Sequence, residues 1–272
     1  MEASRAISRR VALKDMGKAG LALMVFGAAC TDESGSVTTS DDQSTTTSPT
    51  TTTSLQETTS STVGTSTTPG GIGTDWARVN MGFVSAYILF RGGEAALVDT
   101  GQAGAENDIN AALQAIDLGW DAVTSVIVTH RHGDHVGGLD AVAGLATNAN
   151  IYGGAGDIES FGSFEAQGPV AVGDDDIVFG LEIIETPGHT PGHISVLDTV
   201  AGILVTGDAL NRNGGTLNSA SADPRFTADL AQADDSVRKL AGFDFEVVLF
   251  GHGEPIETGG AAEVGALAEG LS

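Results

Sequence analysis

From Ala77 onward the chain alternates short apolar runs with glycine-rich turns, the spacing of buried strands interleaved with helices. Residues 82–90 and 94–99 predict a hairpin around Arg91-Gly92-Gly93, and 103–118 predict a helix carrying Ile109, Leu113 and Ile116 on one face. Residues 122–128 read as a buried strand and 136–145 as a second helix. The same order returns further on. Residues 177–186 predict strands, 193–197 and 202–206 a hairpin, 226–241 an amphipathic helix and 245–250 a last strand. The 38 glycines suit the many tight turns this requires.

The first seventy residues follow another pattern. Arg9-Arg10 precede an apolar run over 19–29 that is too short to span a bilayer as a helix, so residues 1–30 read as an export signal similar to the twin-arginine type. That run ends in Gly27-Ala28-Ala29-Cys30, which is similar to a bacterial lipoprotein processing site. Cys30 is the only cysteine, so the domain has no intrachain disulfide and Cys30 is a candidate lipidation site. Residues 31–70 hold 25 serines and threonines and almost no large apolar side chains. Such a stretch cannot form a core, and 31–73 read as a disordered tether with a span of about 35 Å. The expected organisation is therefore signal 1–30, linker 31–73 and catalytic domain 74–272, in a protein exported and lipid-anchored through Cys30, or otherwise secreted.

Charge narrows the partners. Five of the 12 basic residues and two of the 36 acidic residues fall in the first thirty, leaving 7 against 34. Phosphate backbones need lysine and arginine, so nucleic acid is excluded as an expected ligand and a small molecule is favoured.

Chemistry concentrates in HRHGDH at 130–135, where three of the six histidines and an aspartate follow an apolar run. Histidine is the commonest metal ligand, so His130, His132, Asp134 and His135 can offer nitrogen and oxygen donors to metal. The other histidines sit in glycine-flanked turns: His189 and His193 in ETPGHTPGHIS, and His252 in LFGHGEP. Asp208 closes the apolar run of GILVTGDAL, and Asp99 ends another in VDTG.

These motifs, in this order, resemble the metallo-β-lactamase superfamily over residues 78–254. The resemblance implies an α+β fold, an αββα sandwich of two packed mixed sheets with helices on the outer faces. It also implies a dinuclear site in which His130, His132 and His189 hold one ion, Asp134, His135 and His252 hold the other, and Asp208 bridges them. Two zinc ions suit these donors, and iron or manganese could occupy the same set. His193 is left outside the ligand set, with a supporting or substrate-facing role. Asp99 is expected to orient the ligand loops through hydrogen bonds.

The activity so implied is hydrolysis by metal-held hydroxide, with Asp134 as the catalytic carboxylate. Asp208 and ETPGHTPGHIS resemble the glyoxalase II-like and lactonase-like branches more than zinc β-lactamases, which favours a small ester, lactone or thioester. Only 20 residues follow His252, short of the helical region that glyoxalase II appends for glutathione. A zinc β-lactamase and a mononuclear iron enzyme of the persulfide-dioxygenase type are the alternatives. Phe83 and Asn211 are candidate substrate contacts at the mouth of the site.

Overall fold

A computed structural model describes residues 62–64, 74–162 and 168–271. The signal-like segment, Cys30 and most of the Ser/Thr-rich segment lie outside the described residues. Seven strands form the first sheet in sequence order: β1 Thr62–Gly64, β2 Asp75–Asn80, β3 Ser85–Arg91, β4 Glu94–Val98, β5 Val123–Val128, β6 Asn150–Gly154 and β7 Val170–Val172. The second contains β8 Ile177–Val178, β9 Leu181–Glu185, β10 Ile194–Asp198, β11 Ile203–Val205 and β14 Val247–Leu249, in the order β14-β11-β10-β9-β8. A small ribbon pairs β12 Leu210–Asn211 with β13 Asn218–Ser219. The helices are α1 Glu106–Ala115, α2 Gly133–Val136, α3 Leu139–Leu145, α4 Leu230–Leu240 and α5 Gly260–Gly270.

The layering follows from the strands' two-residue period. In β3, Tyr87 and Leu89 face a core shared with Ile194, Val196, Val205 and Leu249 of the second sheet, whereas Ala86 and Ile88 face α1 and α3. In β11 and β14, Ile203, Val205, Val247 and Leu249 enter the same inner core, and Leu204 and Val248 meet Val237, Leu240 and Val264 of α4 and α5. Helices therefore cover both outer faces, making an αββα sandwich. With both faces buried, strands such as β11 and β14 are continuously apolar rather than alternating. Truncating a fully buried residue such as Leu97 or Leu204 to Ala would cost roughly 2–5 kcal/mol.

Several boundaries differ from expectation for local reasons. Thr62–Gly64, placed by composition in the linker, adds an antiparallel edge strand to β2. The 103–118 helix shrinks to α1 because Gly104 and Asp117 have positive φ at its two ends. The 136–145 helix is broken into α2 and α3, and α4 begins only after Asp229, whose carboxylate accepts from Gln232 N at 3.0 Å as an N-cap. In β6, a Cβ on Gly154 would lie 2.0 Å from the Gly192 carbonyl oxygen, so its glycine records a close approach by the His189–His193 loop.

Two parallel pairs set up the site: β4 beside β5 in the first sheet and β11 beside β14 in the second. Ser85 N donates to Gly251 O at 2.9 Å and the Tyr87 hydroxyl to Phe250 O at 2.9 Å, tying the sheets together where β14 ends.

Candidate metal centre

Each candidate ligand leaves the carboxyl end of a strand or the turn that follows one. β5 delivers His130; the next residues turn into α2, which carries Asp134 and His135. The turn after β9 presents His189, β11 leads into Asp208 and β14 into His252. Backbone bonds hold these ends in register: Asp99 N donates to Ile127 O at 2.9 Å, and Gly251 N to Gly207 O at 3.0 Å.

The donor atoms gather into two groups, His130, His132, His189 and Asp208, and Asp134, His135 and His252, with all atoms in a group within 4.8 Å of one another. In the first, His132 Nδ1 lies 3.1 Å from His130 Nε2 and 3.0 Å from His189 Nε2. In the second, His252 Nε2 lies 3.4 Å from His135 Nε2 and 3.3 Å from Asp134 Oδ2. Asp208 reaches both: Oδ2 is 3.4 Å from His189 Nε2 and 3.2 Å from His252 Nε2, and Oδ1 is 3.3 Å from His135 Nε2. All seven residues assigned to metal by resemblance are thus brought together.

The donor set fits divalent cations. Four donors about 2.0–2.1 Å from a tetrahedral ion stand about 3.3–3.4 Å apart, close to the separations here. The buried Asp208 Oδ1 has no hydrogen-bond partner of acceptable geometry, a deficit that a cation would remove. Four imidazoles are also fixed from behind, leaving the other nitrogen for the centre. His130 Nδ1 lies 3.1 Å from Thr129 Oγ1, His189 Nδ1 3.3 Å from Thr227 Oγ1, His135 Nδ1 2.7 Å from Asp99 Oδ2 and His252 Nδ1 2.6 Å from Phe83 O.

Asp99 lies behind His135. It is buried at φ 63°, accepts from Thr129 N at 2.7 Å and from Thr129 Oγ1 at 2.9 Å, and pairs with His135. Without metal, protons would share the centre unevenly. Burial, reinforced by neighbouring histidines, pushes His130 well below the ordinary histidine value and lowers His132 as well. Burial also opposes charge on His135 and His252, but Asp208 and Asp99 raise His135 well above the ordinary value, and Asp134 and Asp208 carry His252 up to about 10. Asp208 is held well below the usual carboxylate range because His135, His189 and His252 outweigh the cost of burying it.

A family profile described as the metallo-beta-lactamase superfamily matches residues 79–252. The chain belongs to the metallo-β-lactamase superfamily. It is 33% identical to the hydroxyacylglutathione hydrolase of Anaeromyxobacter dehalogenans, over 67% of this chain and 70% of that one. It is 29% identical to the uncharacterized protein YobT of Bacillus subtilis, over 63% of this chain and 83% of the relative. Several further hydroxyacylglutathione hydrolases are matched over only 41–63% of their length. Among solved structures, the metallo-β-lactamase FIM-1 from Pseudomonas aeruginosa in its mono-zinc form superposes with a TM-score of 0.59 at 21% identity, over 77% of this chain and 95% of that one, a likeness of fold. With its histidines and aspartates gathered in this way, this superfamily member is a metal-dependent hydrolase with a divalent-metal site.

His193 stands apart from both donor groups. It is buried, which rules out the substrate-facing half of the expectation. Its Nε2 accepts the Asp208 backbone N–H at 3.0 Å, so in the neutral ring Nδ1 donates to Thr186 Oγ1 at 2.8 Å. Thr186 then donates to Ser195 Oγ at 3.0 Å, and Ser195 to the Thr206 carbonyl at 3.3 Å. Burial, with His189 adding to it, keeps this ring uncharged by lowering its pKa well below the ordinary value. His193 is therefore a positioning residue for the turn that aims Asp208.

A cavity of about 710 Å³ opens over the two donor groups. Phe83 and Asn211 both line it, and the Phe83 ring stacks on His252 at 5.9 Å between centroids and 14° between planes.

Two contributors escape sequence reasoning. Asp157, fully buried, accepts from Arg131 N at 3.2 Å, Arg131 Nη1 at 3.1 Å, Gly192 N at 3.1 Å and the Thr190 hydroxyl. It thereby joins the His130–His135 loop to the His189–His193 loop. Arg78, buried in β2, donates to Ser85 Oγ at 2.9 Å, Gly253 O at 2.9 Å and Glu254 Oε2 at 2.6 Å, fixing the chain just after His252. Neither lies in a motif, and only the tertiary fold reveals their partners.

Proposed function

We propose that this protein hydrolyses a small ester, lactone or thioester at a dinuclear centre, with zinc as the metal. His130, His132 and His189 would hold one ion, Asp134, His135 and His252 the other, and Asp208 would bridge. The observation that carries this reading is the reach of the Asp208 carboxylate into both donor groups. When bound, such ions supply Lewis acidity toward a carbonyl oxygen and lower the pKa of water.

The chain's own residues support hydrolysis. Asp134 is partly exposed to the cavity, and His252 and His135 outweigh its burial to lower its pKa, so it is ionised at neutral pH and can accept a hydrogen bond from an attacking water. No serine or cysteine lines the cavity among the described residues. Its one hydroxyl, Thr227, is committed, donating to Ala220 O at 2.7 Å while standing behind His189. The similarity to proteins named for hydrolysing hydroxyacylglutathione favours an acyl substrate. Export and lipid attachment at Cys30 complete the proposal.

The test is metal analysis joined to a hydrolysis screen of zinc-loaded protein against esters, lactones, thioesters and β-lactams. About two zinc per chain and turnover of at least one of the first three are expected, with Asp134→Ala removing most turnover and leaving the fold intact. One iron per chain without hydrolysis, or preference for β-lactams, would overturn it. Metabolic labelling with palmitate should mark the wild type and not Cys30→Ser; equal labelling removes the anchor.

A further inference from the structure

The walls of the cavity carry information that the donor groups do not. Beyond the candidate ligands they consist chiefly of two phenylalanines, Phe83 and Phe226, three carboxamides, Asn211, Asn213 and Asn218, and one carboxylate, Asp223. Both phenylalanines are 59% exposed, unusual for side chains that cost free energy in water. All seven lysines and arginines beyond position 30 lie within the described residues, and none lines the cavity.

Six of the seven are ion-paired within the protein: Arg78 with Glu254, Arg131 with Asp157, Arg212 with Glu263, Arg225 with the wall residue Asp223, Arg238 with Asp235 and Lys239 with Asp174. Arg91 stacks over Phe179, 4.7 Å from its centroid. Arg212 and Arg225 both adjoin wall residues in sequence; Arg225, whose guanidinium lies 5.3 Å from the centroid of the Phe226 ring, is turned toward Asp223, with Nε 2.9 Å from Oδ1 and Nη2 2.8 Å from Oδ2. Such a two-pronged pair satisfies the fork that would otherwise take a ligand carboxylate.

Resting on the hydrolase reading above, we infer that this site selects an uncharged substrate, an apolar or aryl acyl ester, thioester or lactone, and disfavours ligands with a carboxylate remote from the reacting bond. Charge on a bound metal would act on the reacting carbonyl. A distant carboxylate must instead rest at the rim, where the only ionisable wall residue outside the donor groups is acidic and the neutral donors are amides. Phe83 and Phe226 give an apolar acyl group aromatic surface to cover, and the asparagines can hydrogen-bond an ester, amide or lactone oxygen without a counter-charge. In a chain with 34 acidic against 7 basic residues beyond position 30, the long-range field also repels anions.

The test compares two non-hydrolysable thioethers with the same phenylethyl group, one on N-acetylcysteamine and one on glutathione, titrated calorimetrically into zinc-loaded protein. The uncharged thioether should bind at least about tenfold more tightly, and the gap should narrow between 20 and 200 mM salt as repulsion is screened. Asp223→Asn, which releases the Arg225 fork, should also narrow it. Equal or tighter binding of the glutathione thioether, or no binding of either, overturns the inference; a gap unmoved by Asp223→Asn overturns the role given to that pair. The corresponding thioesters are assayed beside them. If the uncharged thioether binds selectively but neither thioester is hydrolysed, the hydrolytic reading loses its support while the charge preference of the cavity stands.

Discussion

Replacing His193 with alanine isolates the support beneath Asp208 from the ligands themselves. The substitution leaves the Asp208 N–H buried without its acceptor, a loss of about 1–3 kcal/mol. Removing the imidazole also leaves a void of roughly 60 Å³ that at about 24 cal/mol per Å³ adds about 1.5 kcal/mol. Thr186 is less affected because it retains Ser195 Oγ at 3.0 Å. The total, about 2.5–4.5 kcal/mol, corresponds to a fall in Tm of roughly 10 °C for a domain of this size. Zinc content at saturation should match the wild type, while zinc affinity falls about 10- to 100-fold, as for other residues that orient ligands from behind. His193→Gln can again present an acceptor to Asp208 N and should recover part of both losses. Elemental analysis after gel filtration, thermal denaturation and competition with a chromogenic chelator read the three quantities. Loss of a full zinc equivalent at saturation would mean that His193 is a ligand, and a glutamine variant no better than alanine would remove the acceptor argument.

Gly251→Ala should cut zinc affinity by at least about 100-fold, because its Cβ would lie 2.3 Å from Asp208 Oδ1 and 2.5 Å from His135 Cε1; unchanged affinity by chelator competition contradicts the packing described. Arg78→Met should destabilise the domain by about 2–4 kcal/mol, read by urea denaturation, since it leaves Gly253 O and Ser85 Oγ without their buried donor; a loss below about 0.5 kcal/mol refutes that. Zinc uptake should release protons near pH 7, with affinity rising toward pH 10, because ions displace the protons that His252 holds up to about 10 and that His135 holds well above the ordinary value. In the metal-free protein the raised His252 pKa contributes stability that is fully present below about pH 6.5 and is lost as pH rises toward 10. Affinity that is flat between pH 7 and 9 would exclude this exchange. Chelation should lower Tm in one cooperative step, since a ligand at 1,000 times its Kd stabilises a fold by about 4 kcal/mol; an unchanged Tm would place the ions outside the stabilising framework.

The strands most legible in the sequence are those buried on both faces, such as β11 and β14, because a continuous apolar run survives any choice of register. Glycine hides others. β6 contains Gly153 and Gly154, whose missing side chains make room for the Phe161 ring and the Gly192 carbonyl, so contacts made far along the chain select residues that weaken the local strand signal. α5 is obscured for a related reason: Gly260 packs against the Glu246 carbonyl, and only Gly260 and Val264 are buried, leaving no apolar stripe to read. The metal donors are legible because histidine is scarce and each one follows an apolar strand or its turn. Asp157 is not, because nothing local separates it from the other carboxylates of a chain with 36. Its role arises only when β6 carries it beneath two loops that meet in space.

The division of donors has a consequence for how the centre relates to the fold. In the first group, His130 and His132 follow a strand of the seven-stranded sheet, while His189 and Asp208 follow strands of the five-stranded sheet. In the second, Asp134 and His135 come from the first sheet and His252 from the second. Neither group can assemble on one sheet alone, so its geometry depends on the packing of Tyr87, Leu89 and Ile127 against Val196, Val205 and Leu249 between them. Three direct ties across that interface, Tyr87 to Phe250 O, Ser85 to Gly251 O and Arg78 to Gly253 O, fall on the segment that leads into or out of His252, and another, Ile194 N to Thr129 O at 2.9 Å, falls beside His130. Both donor groups are therefore tied across the two sheets, the first also through Asp157, which joins its two loops directly. Mutations that loosen the inner core should therefore lower metal affinity at both halves of the centre, even when they lie far from either.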